Sequence, residues 1–158
     1  MYYSSLYLTT LAIFLEAKMS KFLELRKINV NDHTEQKGRF TYLSWAWAVD
    51  QLLQKDPMAT WSYGEPTTFQ DGSMMVFCTV TAFDKSMTSM LPVLNHQNKP
   101  IQNPNAMDVN TAMQRCLVKA IALHGIGLYI YAGEDLPEDE NAVKPVTSFK
   151  PVVKAKEI

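Results

Sequence analysis

Arg115 and Lys119 stand four residues apart in NTAMQRCLVKAIA. On a helix that spacing sets two cations side by side on one face, about 6 Å apart along the axis. The interval is close to the phosphate repeat of an extended single strand of nucleic acid. Arginine forks a phosphate, and lysine meets it as a point charge. The same pair also fits two solubilising charges on an exposed helix face. A second group lies at 37–47, where Lys37 and Arg39 precede Tyr42, Trp45 and Trp47. Cations beside aromatic rings are the composition of a site that neutralises phosphates and stacks bases. Trp45 falls on the apolar stripe of its helix and is expected in the core. Trp47, two residues on, points well away from it. Tyr42 and Trp47 are therefore the stacking candidates, against the alternative that both tryptophans pack in the core or at a subunit contact.

Covalent chemistry has less to stand on. The chain carries no GxxxxGK[ST], HExxH, CxxC or GxSxG pattern. His33, His96 and His124 fall in separate segments and read as surface or packing residues. Nothing sets a nucleophile beside a base, so no enzyme and no cofactor is expected. Glu134 and Asp135, with Glu138, Asp139 and Glu140 after them, could hold a divalent metal, or form a solvated acidic stretch. Cys78 and Cys116 each sit in an apolar run, as buried free thiols of a reducing compartment would.

These residues need elements to place them. Phe22, Leu23, Leu25 and Ile28 have helical spacing after Ser20, and residues 31–40 read as a polar loop turning at Gly38. A helix capped by Thr41 or Ser44 carries the stripe Trp45, Ala48, Val49, Leu52 and Leu53, and ends at Asp56-Pro57. Residues 59–93 read as strands. Thr60 to Tyr63 is short, Met74 to Phe83 is long, and a turn at Asp84-Lys85 returns Met87 to Val93 as its hairpin partner. The clearest helix follows, capped by Asn105 or Asp108 and closed by Gly125. Its apolar face holds Val109, Ala112, Met113, Cys116, Leu117, Ala120 and Ile121. Its polar face holds Asn110, Thr111, Gln114, Arg115, Lys119 and Ala122, with Val118 between the two bases. Residues 127–132 (GLYIYA) suggest a buried strand or tight loop. The expected fold is α+β: a small antiparallel hairpin or meander sheet packed against two main helices, then a disordered tail over 138–158.

Composition bounds the reading. At 158 residues and 47% hydrophobic, the chain fits one domain with tails. Its net charge of −1 argues against a uniformly basic surface, so any nucleic-acid site must be a local patch. Residues 1–18 contain an apolar run too short to cross a bilayer and lack the pattern of a signal peptide. They read as an N-terminal extension ahead of Met19, whether an upstream start or an appended helix. Removing them is expected to leave folding and DNA binding intact.

The stretches TYLSWAWAV (41–49), MLPVLNHQNKPIQ (90–102) and DVNTAMQRCLVKAIALHGIGLYIYAGEDLP (108–137) together resemble the phage single-strand annealing proteins of the Sak-three group. That group is classed with RecT, Red-beta and the Rad-type annealing proteins. The likeness spans about 19–137, read as one annealing domain, with 1–18 and 138–158 outside it. It implies a β-sheet packed on helices, assembled as a homo-oligomeric ring or filament that holds one DNA strand for pairing without ATP. Carried onto this chain, the groove residues are Lys37, Arg39, Arg115 and Lys119, with Tyr42 and Trp47 stacking. The partner is single-stranded DNA, with RNA, a phage exonuclease and a host single-strand binding protein as further candidates, in the cytoplasm of a bacterial host and away from membranes. Three rivals stand beside it: a coating protein without annealing activity, a metal-dependent enzyme using Glu134 and Asp135, and an interaction protein using GLYIYAGEDLP as its edge.

Overall fold

The computed structural model describes residues 3–37 and 40–132. The fold is α+β, as expected. Helix α1 (Tyr3–Leu25) is continuous across Met19, so the extension and the first apolar segment form one element. A single helical turn at Asn31–His33 leads into a hairpin, β1 (Thr34–Lys37) and β2 (Phe40–Leu43), paired from Thr34↔Leu43 to Lys37↔Phe40. The loop expected over 31–40 therefore holds a helical turn, the strand β1 and the first residue of β2. The wholly polar run TEQK hides a strand whose partner, FTYL, supplies the burial through Phe40 and Leu43. Helix α2 (Trp45–Lys55) follows, and its cap is Ser44, not Thr41, which lies inside β2.

A four-stranded antiparallel sheet comes next, built around one central strand. Strand β5 (Met74–Ala82) pairs with β3 (Thr60–Tyr63) and β4 (Thr67–Thr68) along one edge, and with β6 (Lys85–Pro92) along the other. The long hairpin runs from Met75↔Pro92 to Ala82↔Lys85, so its turn is Phe83-Asp84, one residue earlier than the sequence suggests. Both residues take left-handed φ, 53° and 55°, the geometry a two-residue hairpin needs. Asp56 steadies that turn by accepting the Phe83 N–H at 2.6 Å. Along β5 the pleat puts Val76, Cys78, Val80 and Ala82 inside.

Helix α3 (Ala106–Ala122) lies across that inner face. Its N-terminus is a capping box: the Asn105 side chain accepts from Met107 and Asp108 N–H, while Asp108 accepts from Asn105 N–H. Cys116 and Leu117 point into the core with Ile121, and Ser89 Oγ donates to the Cys116 carbonyl at 2.7 Å. Both cysteines are buried free thiols; burial first, and the neighbouring Cys116 second, push Cys78 up to about 12. Val118 and Ala122, which spacing assigns to the polar face, are buried as well. The reason is that α3 packs on the sheet and also on α2, so its solvent face is narrower than one amphipathic stripe implies. Gly125, at φ 124°, sits three residues past the helix and meets the end of α1; a Cβ there would stand 3.0 Å from Leu25 Cβ and Phe22 O. Residues Leu128–Tyr131 are a 3-10 turn and not a strand, and Tyr129 OH ties it to Val30 N–H at 3.0 Å and to Asn31 Oδ1 at 2.7 Å. The tail expected to be disordered, 138–158, lies outside the described residues, as does the acidic stretch 134–140.

Candidate nucleic-acid interface

An open groove of about 430 Å³ lies between α3, the start of α2 and the β1–β2 hairpin. Leu43 and Val118 are its buried floor. Thr111, Gln114 and Arg115 line it from α3, each one turn or less from the next, because the core-facing residues fix the helix's rotation. Tyr42 lines it from β2. Arg115 lies over the Tyr42 ring, its guanidinium carbon 4.5 Å from the ring centre. The pair is a cation–π couple at the groove wall. The ring's attraction holds the guanidinium at the groove wall, where its N–H donors can meet an anion. Lys119 continues the line one turn further, with Nζ 5.9 Å from the Tyr131 ring centre.

Two histidines border the same groove. His33 is stacked on Trp47, ring centres 4.4 Å apart and planes within 16°. Its carbonyl accepts the Ser44 N–H at 3.0 Å, which couples the turn before the hairpin to the start of α2. His96 sits in a tight turn closed by Asn95, whose Oδ1 accepts from Gln97 and Lys99 N–H at 2.8 and 3.0 Å. Sequence reading set both histidines aside, because nothing local shows that residues 33 and 96 border one groove. Glu35 is the acid among the groove's lining residues.

The six residues singled out from sequence divide as follows. Tyr42 and Arg115 are in contact in the groove, and Lys119 extends it. Trp47 is half-buried against the core and takes His33 on its ring. Lys37 ends β1, paired in register with Phe40, and Arg39 lies outside the described residues. Trp45, expected in the core, is instead 46% exposed and lines the groove. It is the first residue of α2, so it overhangs the core that Ala48 and Leu52 enter one and two turns later. Glu134 and Asp135 of the metal alternative lie outside the described residues. No described helix is long and apolar enough to cross a membrane.

Comparison with known families gives one finding that bears on this groove. A family model described as Sak Single Strand Annealing Protein matches residues 20–157. The match begins one residue past Met19 and takes in all of the groove. It also runs through the tail, which the resemblance seen in the sequence left out. No curated protein matches the chain.

Proposed function

We propose, from the premise that this chain belongs to the Sak single-strand annealing protein family, that it holds single-stranded DNA along the α3 groove and lets a complementary strand pair without ATP. The observation that carries the reading is the Arg115–Tyr42 couple, with Lys119 one helical turn beyond it. Arg115 and Lys119 take successive phosphates. Tyr42 holds the guanidinium in place, and Trp47 holds His33 at the rim. Lys37 and Arg39, the other two cations named from the sequence, extend the basic track. Each phosphate neutralised releases counterions, so binding is driven by salt-sensitive electrostatics. The energy of annealing then comes from base pairing itself; the protein extends the strand and raises the chance of encounter.

One groove carries few charges, and the chain's net charge is −1. Copies arranged in a ring or filament join these short patches into a continuous track, and avidity supplies what one patch lacks. The setting is phage-type homologous recombination in the cytoplasm of a bacterial host. The test is annealing of two complementary dye-labelled strands, without ATP or metal, across a salt series. Acceleration over the protein-free rate, fading as salt rises, is the expected result. Tight binding without acceleration would make this a coating protein, and no binding would overturn the reading.

A further inference from the structure

We propose that Trp45 is the ring on which a base of the bound strand stacks, while Arg115 takes a neighbouring phosphate. The inference rests on the nucleic-acid reading above and adds to it the residue that holds the base. Besides the two histidines, four rings of tyrosine or tryptophan stand at or beside the groove. Tyr42 carries the Arg115 guanidinium on one face, Trp47 carries His33, and Tyr131 lies under Lys119. Among the described residues, Trp45 enters no ring or cation pair. It is the most exposed tryptophan of the three, at 46% against 39% for Trp61, with Trp47 half-buried. An indole left this open on a rigid element is unusual, because tryptophan is on average among the well-buried residues.

Its position is fixed from two sides. Ser44 caps α2 by accepting the Trp47 N–H at 3.4 Å, and the Ser44 N–H is itself bonded to the His33 carbonyl at 3.0 Å. Trp45 lines the groove with Thr111, His96 and Arg115; Lys119 and Tyr131 line a smaller recess that shares Arg115 with it. A strand running from the groove into that recess passes the indole and the guanidinium before it reaches the ammonium. Stacking engages the face of a base and leaves its hydrogen-bonding edge unused. A base on Trp45 is thus gripped without regard to sequence and still displays the edge that a complementary strand reads.

The test uses the full chain and two dye-labelled strands of equal length. One is oligo-dT, and the other is an abasic deoxyribose-phosphate strand with the same phosphates and no bases. Stacking predicts tighter binding of oligo-dT by roughly 5- to 100-fold. Trp45→Leu removes that preference, Trp45→Phe keeps most of it, and Arg115→Ala with Lys119→Ala weakens both strands alike. Equal affinity of the unaltered protein for the two strands overturns the inference without any variant. So does a preference for oligo-dT that survives in Trp45→Leu, or a change in oligomer size in that variant with the preference intact, which would make the ring a subunit contact. In those cases salt-sensitive binding still stands. Binding of neither strand removes the nucleic-acid reading as well.

Discussion

Arg115 and Lys119 are the residues whose loss is read most directly. If the proposed groove holds the strand, replacing both by alanine removes two phosphate contacts without touching the core. The expected result is weaker single-strand binding, with the slope of log K against log salt flattened by about 1.4, and an unchanged circular dichroism spectrum. An unchanged slope would take α3 out of the DNA path. His124 makes a different prediction, about stability. It is buried, with Nε2 3.1 Å from the Val80 carbonyl. Burial holds its pKa below 6.5; Lys85 acts the same way, while the Val80 carbonyl and Asp56 act against it. The folded protein therefore keeps this ring neutral where the unfolded chain would charge it. Its contribution is complete above the ordinary histidine pKa and is lost as pH falls below it. The melting temperature should drop from pH 7 towards pH 5.5, and His124→Gln should flatten that part of the profile.

At the scale of elements, α3 does two jobs at once, and its rotation decides both. Leu117, 2% exposed, faces the sheet, while Arg115 and Lys119 border the groove. Leu117→Ala should cost roughly 2–5 kcal/mol, because the cavity it leaves is walled by a sheet and a second helix that cannot both close in. Thermal or denaturant unfolding reads this directly, and an unshifted curve would mean that the two faces are exchanged. The faces were legible in the sequence because the apolar stripe has a clear 3.6-residue period. The burial of Val118 and Ala122 was not, because it depends on α2 packing from the side. The β1–β2 hairpin was missed for a related reason. TEQK has no apolar alternation of its own and becomes a strand through its partner.

For the whole molecule, the N-terminal helix makes a prediction of its own. Helix α1 is anchored at its C-terminal end, where Leu25 is fully buried, while Leu8, Leu11 and Ile13 are 55–68% exposed. The family match starts at residue 20. Deleting residues 1–18 should therefore leave the melting temperature within a degree or two and retain salt-sensitive DNA binding. A fall of several degrees would show that the helix belongs to the domain's own core.

The sequence by itself determined the α+β class, the long hairpin, the two helices after residue 44, the buried thiols and the pairing of Arg115 with Lys119. All of these follow from periodicity and turn chemistry within some twenty residues. The family resemblance was equally legible, in motifs along the chain. Only the tertiary structure decided which residues share the groove. Tyr42 and Arg115 lie 73 residues apart, and His33 and His96 are 63 apart. The tertiary structure also reversed the burial expected of the neighbouring tryptophans. Helical spacing fixes the angle between Trp45 and Trp47, but not where the core ends along the helix axis. That limit set Trp45 in the open groove and Trp47 against the protein.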